Sequence, residues 1–239
     1  MRSYLAAVVL IAGCNLVGTN TLSVPYSFDP QEYMKSFGNT MGTFPQVDCA
    51  GAGDPCAQAN AALPQGSSLT ASCDAASKQC RATAELHLSY PVNLSMQSSF
   101  PQSAIQLGVA FVDIAKIKYW VASNSLSVAT PTIDLFVAPA TAKDETMGGT
   151  HLGSLAALAA RSGACKDPAD SDDAAQGAMV CDMPLDQAGK DALAGFAKDY
   201  KNEFQIIAHA TVSAKGGDPL PSGAIDFFVR PIIAIGIVR

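Results

Sequence analysis

The residue pattern from Ala84 to Met96 limits the fold of this chain more than any other feature. In ATAELHLSYPVNLSM (82–96) every second residue from Ala84 onward is apolar, and most residues between are polar. This period of two matches a strand with one buried face, because successive side chains of a strand point to opposite sides. Pro91 cannot donate to a sheet ladder, so we expect this strand to lie at an edge or to contain a bulge.

Similar alternation recurs along the chain and predicts further strands. The segments are 22–28, 105–111, 117–121, 126–137 with an interruption at Pro131, 204–214, and 225–229 leading into IIAIGIV. A disturbed stretch at 112–116 indicates a bulge or a turn between two strands. The last strand is apolar on both faces, which is typical of a central strand.

Helical spacing is found in three places. Residues 57–62 predict a short helix, and Leu152, Leu155 and Leu158 predict another that ends near Gly163. A third helix is expected from Pro184 to Asp199. Its predicted apolar stripe consists of Leu185, Ala188, Ala192, Phe196 and Tyr200.

Six to nine strands with a few helices, no βαβ alternation and no repeat predict a mainly β protein. We expect an antiparallel β-sandwich of the immunoglobulin-like class, with one or two inserted helices. It would form a single domain over residues 24–239. Residues 40–81 are rich in Ala, Gly, Ser and Pro and have few large apolar side chains, so they are expected to be a cysteine-rich insertion held by cross-links.

The seven cysteines indicate an oxidising compartment. They are Cys14, Cys49, Cys56, Cys73, Cys80, Cys165 and Cys181. The central four do not have the short C-x2-C spacing of zinc knuckles, so two disulfides are expected, and all three connectivities remain open. The last two enclose a loop of about 15 residues, for which closure contributes roughly 3 kcal/mol.

The N-terminus MRSYLAAVVLIAGCN has one positive residue, a short apolar run and small residues before Cys14. The segment Ile11-Ala-Gly-Cys14 resembles the lipobox of bacterial lipoproteins. The resemblance implies a signal peptide at 1–13 and lipidation of Cys14, with 14–23 as a tether. Six cysteines then remain to pair. Asn15 resembles the outer-membrane sorting pattern, so a lipid-anchored place in the cell envelope, at the outer membrane, is expected.

Composition argues against nucleic acid as a partner. The net charge is −6, and the 15 Lys and Arg residues are scattered, so no basic face is available to neutralise phosphates. The expected partners are the membrane, through the lipid, and an envelope protein or an apolar ligand.

No sequence motif assigns a catalytic residue, and no cofactor is expected. The chain contains no G-x-S-x-G, H-E-x-x-H or P-loop pattern. His87 and His209 fall on the polar phase of their strands, and His151 follows Gly148-Gly149-Thr150, so surface positions are expected for all three. Trp120 beside Tyr119 puts one aromatic ring on each strand face; burial under a covering loop is expected, and stacking on a ligand is the alternative.

Four carboxylates lie between Cys165 and Cys181 and are candidates for Ca²⁺ ligands. They are Asp167, Asp170, Asp172 and Asp173. They lack the glycine and the distal glutamate of an EF-hand loop, so a solvated acidic loop is the preferred interpretation and no metal site is assigned.

These observations predict an envelope lipoprotein that acts as a non-catalytic binding or structural module. Two alternatives remain open. The first is a carrier of an apolar ligand or lipid between the sheets. The second is a secreted hydrolase, which would require His87, His151 or His209 to meet a carboxylate.

Overall fold

The computed structural model describes residues 15–21, 24–28, 46–49, 53, 55–62, 69–97, 109–163, 180–218 and 222–237. Within them the strands are β1 (Asn15–Thr21), β2 (Val24–Phe28), β3 (Leu69–Asp74), β4 (Gln79–Val92), β5 (Val109–Asn124), β6 (Ile133–Pro139), β7 (Thr150–Leu155), β8 (Val180–Met183), β9 (Phe204–Lys215) and β10 (Ile225–Ile237). The helices are α1 (Pro55–Ala62) and α2 (Gln187–Lys198), with a 3-10 turn at Leu94–Met96. Neither α1 nor α2, the α-helices of this described part, is long and apolar enough to cross a bilayer.

Two antiparallel sheets make up the fold. The first has the order β1-β10-β5-β8, and β2 also pairs with β10; the second has the order β3-β4-β9-β6-β7. Every pairing between named strands is antiparallel. The prediction of a mainly β, antiparallel sandwich with inserted helices is confirmed.

The core lies between the sheets and contains large apolar side chains from both. Ile114, Ile117 and Ile233 come from the first sheet, and Leu135 and Ile206 from the second; none is more than 2% exposed. The opposite phase is mostly polar in β4 and β9, whereas β5, β6 and β10 also place apolar side chains there, such as Trp120, Ala138 and Phe228. The alternation in the sequence therefore marks the division between core and surface most clearly in β4 and β9.

Tyr26 joins the two sheets across this core. It lies on β2 in the first sheet, and its hydroxyl donates a hydrogen bond of 2.8 Å to the carbonyl of Ile206 on β9. Its ring stacks on Phe227 with centroids 5.0 Å apart. Burial raises the pKa of Tyr26 far above its ordinary value, with the nearby Tyr90 as the smaller cause.

Replacement of Tyr26 by phenylalanine is expected to cost about 1 kcal/mol of stability at neutral pH, the net value of a typical hydrogen bond. Above about pH 10 the unfolded tyrosine ionises while the folded one keeps its proton, so Tyr26 lowers wild-type stability as pH rises. The variant lacks this loss, so its deficit should shrink and then reverse in urea unfolding at increasing pH. Parallel pH profiles for the two proteins would contradict this account.

The strong alternation at 84–96 corresponds to β4, which begins earlier than predicted and ends at Val92. Strand β3 pairs with residues 79–84 of β4, and among the described strands the rest of β4 pairs with β9 on one side only. Pro91 therefore lies in an edge segment, as predicted. The predicted central position of the last strand is also confirmed, because β10 pairs with β1 and β2 on one side and with β5 on the other.

The predicted helix at residues 152–163 is wrong, because its first part is strand β7. Leu135 pairs with Gly153 and Phe136 with His151, so Leu152 is an extra residue in a β-bulge. The bulge lets Leu152 and Leu155 both enter the core although they are three residues apart. A bulge in a strand thus produced the leucine spacing of a helix.

The break predicted at residues 112–116 is a bulge, not a turn. Strand β5 is continuous, and its register with β10 shifts between the pairs Ile232–Lys116 and Ile233–Ile114. The preceding positions 105–108 lie outside the described residues. The segment predicted at 126–137 contains only strand β6, because residues 125–132 are not in a strand.

The predicted tether at 14–23 is wrong for residues 15–21, which form β1 against the apolar strand β10. Asn15 pairs with Ile237 and Thr21 with Ile232, with a register shift between Leu16 and Gly18. Without β1, one side of β10 would carry unpaired main-chain N–H and C=O groups. Such groups can pair with any adjacent extended segment, whatever the polarity of its side chains. The signal segment 1–13 and Cys14 lie outside the described residues.

The helix predicted at 184–199 is present as α2, but it begins at Gln187 rather than at Pro184, and its buried face is turned by one residue from the predicted stripe. Gly189, Leu193 and Ala197 are buried, whereas Ala188 is exposed. A Cβ on Gly189 would lie 2.3 Å from the carbonyl oxygen of His151. Glycine therefore allows α2 to pack directly on the backbone of β7.

The cysteine-rich insertion contains two disulfides, Cys49–Cys73 and Cys56–Cys80. This selects one of the three connectivities that the sequence left open. Helix α1 is confirmed. Strand β3 of the insertion is an edge strand of the second sheet, so the insertion is part of the sandwich. Cys181 is disulfide-bonded. Cys165 lies outside the described residues, as do the calcium candidates Asp167, Asp170, Asp172 and Asp173.

The aromatic pair on β5 is buried on both faces. Tyr119 belongs to the core, whereas Trp120 stacks on Phe228 with centroids 4.9 Å apart and lies under the Arg230 guanidinium. Trp120 is only 4% exposed. The expected burial of the ring is confirmed, and the cover consists of Phe228 and Arg230 on strand β10, where a loop was predicted. Trp120 therefore presents no free stacking surface.

Candidate functional site

A row of polar residues crosses four strands of the second sheet. His87 on β4 pairs with His209 on β9, His209 with Asp134 on β6, and Asp134 with Ser154 on β7. Directly opposite residues in a sheet point to the same face. Their strand neighbours Leu86, Ala208, Leu135 and Leu155 are buried. The row therefore lies on the outer surface of the sandwich.

The bulge in β7 brings the third histidine to the same surface. His151 and Ser154 are three residues apart and would lie on opposite faces of a regular strand, but the extra residue Leu152 restores them to one face. The His151 ring makes an edge contact with Phe136, with centroids 5.2 Å apart, and Phe136 is also 6.4 Å from His209. All three histidines of the chain thus meet on one face.

We call this surface the histidine face. Its members are His87, Asp134, His151, Ser154 and His209, together with the carboxylates Glu85, Glu145 and Asp186. The three imidazole side chains are 21–36% exposed, so solvent reaches each of them.

The loop between β6 and β7 supplies Glu145. Gln205 on β9 donates its Nε2 to the Ala140 carbonyl at 3.1 Å, and Ala142 packs with Ile207, which holds the loop on the sheet. Gly149 closes the loop through a hydrogen bond to the Glu145 carbonyl, and a Cβ there would lie 2.6 Å from that oxygen. The backbone of Glu145 is therefore held over the sheet by close packing.

Glu145 bridges two stacked imidazoles. The rings of His87 and His209 are nearly parallel, with an angle of 4° and centroids 4.9 Å apart. Glu145 Oε2 lies 2.8 Å from His87 Nδ1, and its Oε1 lies 3.7 Å from His209 Nδ1. The side chain of Glu145 is 17% exposed, so its charge sits in a partly desolvated position between two nitrogens.

Glu85 fixes the other nitrogen of His209. His209 Nε2 donates to Glu85 Oε2 at 2.7 Å, and Thr211 Oγ1 donates to the same oxygen at 2.9 Å. The hydrogen bond from His209, followed by that from Thr211, keeps the pKa of Glu85 below its ordinary value. Glu85 therefore stays a carboxylate, and with a proton on Nε2, a neutral His209 has its lone pair on Nδ1.

His151 has its own carboxylates. Its Nδ1 lies 2.6 Å from Asp186 Oδ2, and its Nε2 is 3.6 Å from Asp134 Oδ1 and 3.3 Å from Ser154 Oγ. Asp186 is the N-cap residue of α2, yet its carboxylate accepts no hydrogen bond from the helix amides. Ser154 Oγ donates to Asp134 at 2.5 Å.

The structure confirms that His87 and His209 lie on the polar face of their strands and corrects the position of His151, which is in a strand rather than before a helix. The sequence did not indicate that the three meet. It also gave no reason to select Glu145, which is distant from both imidazoles along the chain. The polar phase of the two strands placed each histidine on a surface, but it contained no information on which strands are neighbours.

Within the described residues, His87, Glu145 and His209 form the group of ligand atoms close enough to hold a metal ion, with all three within 4.8 Å of one another. This is a combination of two imidazole nitrogens and one carboxylate. Such a set can bind a divalent cation or, when protonated, an anionic group.

No protein-family model matches the chain, and no curated protein matches it.

Proposed function

We propose that the chain is an envelope lipoprotein, anchored through a lipid on Cys14, whose sandwich is a non-catalytic binding module that meets its ligand through the histidine face. The observation that supports the proposal is the meeting of all three histidines, each with a carboxylate partner, on one solvent-reachable surface. Exposed ion pairs such as His151–Asp186 contribute little to stability, which favours a binding role for this surface.

The position of β1 is compatible with this arrangement. Cys14 directly precedes β1, an edge strand of the first sheet, whereas the histidine face belongs to the second sheet. A lipid on Cys14 would enter the bilayer from the layer opposite the histidine face. Because residues 15–21 are paired with β10, the module would lie close against the membrane.

Replacement of Cys14 by serine in the full chain tests the anchor. We expect the wild-type protein in the membrane fraction and the variant in the soluble fraction, because without the thiol the acyl chains that hold a lipoprotein in the bilayer cannot be attached. Fractionation of expressing cells followed by immunoblotting measures this. Unchanged membrane association of the serine variant would contradict the lipid anchor.

Photocrosslinking in the same cells tests the binding face. A photoreactive residue at Ser89, exposed on β4 in the same phase as His87, should give a discrete crosslinked product. Lys116 on β5 of the first sheet, with its side chain 46% exposed, is the control position and should give none. Equal products at both positions, or none at Ser89, would contradict a role of the histidine face in recognition.

The hydrolase alternative has one observation in its favour. Ser154, His151 and Asp186 follow one another in the order of a catalytic triad, with separations of 3.3 and 2.6 Å. However, the Ser154 hydroxyl donates to Asp134 rather than to the imidazole. Covalent labelling by a fluorophosphonate that disappears in Ser154→Ala would support a hydrolase; absence of labelling supports the binding module.

The carrier alternative requires an apolar cavity between the sheets. The side chains that face this space include Phe204, Leu135 and Ile206, all fully buried. No observation on the described residues favours a ligand in the interior over one on the histidine face.

A further inference from the structure

We propose that His87, His209 and Glu145 form a zinc site on the histidine face. This inference rests on the proposed function only in its location, because both use the same surface. It assigns to that surface a ligand of defined chemistry, a divalent transition-metal ion, with a coordination position open to solvent.

The distances suit a zinc ion after small side-chain movements. Atoms bound at 2.0–2.1 Å to a tetrahedral Zn²⁺ are about 3.4 Å apart. The Glu145 oxygens lie 2.8 Å from His87 Nδ1 and 3.7 Å from His209 Nδ1, on either side of that value. The largest separation within the group, at most 4.8 Å, must shorten, and the two rings, parallel within 4°, must tilt so that their in-plane lone pairs converge on one ion.

The two histidines are held by the sheet and one is already oriented. His87 and His209 occupy directly opposite positions on β4 and β9, so their backbone separation is fixed by the ladder. Glu85 accepts the Nε2 proton of His209 and so directs the Nδ1 lone pair of the neutral ring toward Glu145. A carboxylate behind a ligating histidine is the usual arrangement around protein-bound zinc.

The ligand types select the metal. Imidazole nitrogen suits zinc and other late first-row ions, whereas Ca²⁺ and Mg²⁺ take oxygen ligands. Two histidines and one glutamate leave the fourth tetrahedral position open, and partial exposure of the three side chains allows water to occupy it. Binding requires the lone pair of His87 Nδ1, so a neutral His87 carries its proton on Nε2 when the ion is bound.

Calorimetric titration of the full chain, purified in detergent and treated with a chelator, with ZnCl2 tests the site. We expect one Zn²⁺ per chain for the wild type. His87→Ala, His209→Ala and Glu145→Gln should each weaken binding by at least about tenfold, because a direct ligand is lost. His151→Ala is the matched control: it removes a histidine from the same face outside the trio and should bind as the wild type does.

The comparison remains decisive if one variant is unstable. Melting temperatures in metal-free buffer identify misfolded variants. His87→Ala then carries the test alone, because His87 lies in a segment of β4 that, among the described strands, pairs on one side only. Titration with Co²⁺ should give the visible absorption of a tetrahedral nitrogen–oxygen site in the wild type and in His151→Ala, but not in His87→Ala.

Three results would overturn the assignment: no saturable Zn²⁺ binding by the wild type, unchanged binding by His87→Ala, or loss of binding in His151→Ala. None of these depends on membrane association or crosslinking in cells. Failure of the zinc site is therefore distinguishable from failure of the proposed binding module.

Discussion

Replacement of Cys56 and Cys80 by serine is expected to lower the free energy of unfolding by about 3 kcal/mol. Cys56 lies on α1 and Cys80 on β4, and both are almost fully buried. With Cys49–Cys73 intact, the path that Cys56–Cys80 closes runs through that bridge and covers about 14 residues, the range in which loop closure has this value. Urea unfolding with an optical probe measures the loss.

The Cys49–Cys73 bridge provides a matched control. It closes the same path, so its removal should cost the same chain entropy, but Cys73 is exposed. The Cys56–Cys80 variant should lose more, because it also leaves two serine hydroxyls in buried positions. A larger loss for Cys49→Ser/Cys73→Ser, or none for either pair, would contradict this account.

The sequence was most informative where burial alternates simply. Strands β4 and β9 were predictable because one face of each is apolar, and β10 was predictable because both faces of this central strand are apolar. These patterns follow directly from the packing of two sheet layers. The phase of His87 and His209 followed from the same rule. These predictions needed no knowledge of how the strands pair.

Local irregularities were beyond this rule. A bulge adds one residue to one strand, and its position depends on the partner strand; in β7 it gave Leu152 and Leu155 the spacing of a helix. Residues 15–21 have no clear period, and they form β1 because β10 offers main-chain partners. Both outcomes are set by tertiary pairing, which a single strand sequence does not contain.

The candidate site was beyond prediction for the same reason. His87 and His209 become neighbours only through the β4–β9 register, and Glu145 reaches them only because the loop after β6 folds back over the sheet. Asp186 would normally be assigned to capping α2, but its carboxylate contacts His151 instead. Composition could indicate three histidines, but only the topology brings them to one face.

Replacement of Phe204 by alanine is expected to reduce stability by about 3–5 kcal/mol, the range for a large aromatic side chain removed from a packed core. Phe204 begins β9, is fully buried, and its ring lies 5.5 Å from that of Phe196 on α2. It thus connects the second sheet to the helix that carries Asp186 at its start. The loss combines apolar transfer with a cavity that the fixed ladders on either side of β9 cannot close.

Phe111 on β5 provides the same substitution at a surface position, since it is 37% exposed. Phe111→Ala should lower stability by only about 1 kcal/mol, the span of strand preferences, because its ring leaves no cavity in the core. Denaturant unfolding measures the free energy of unfolding of both variants. If its slope against denaturant concentration is equal in the two, the difference between their losses reflects burial, because the residue change is identical. Similar losses at the two positions would mean that the space between the sheets is loosely packed at Phe204, and the carrier alternative would then regain support.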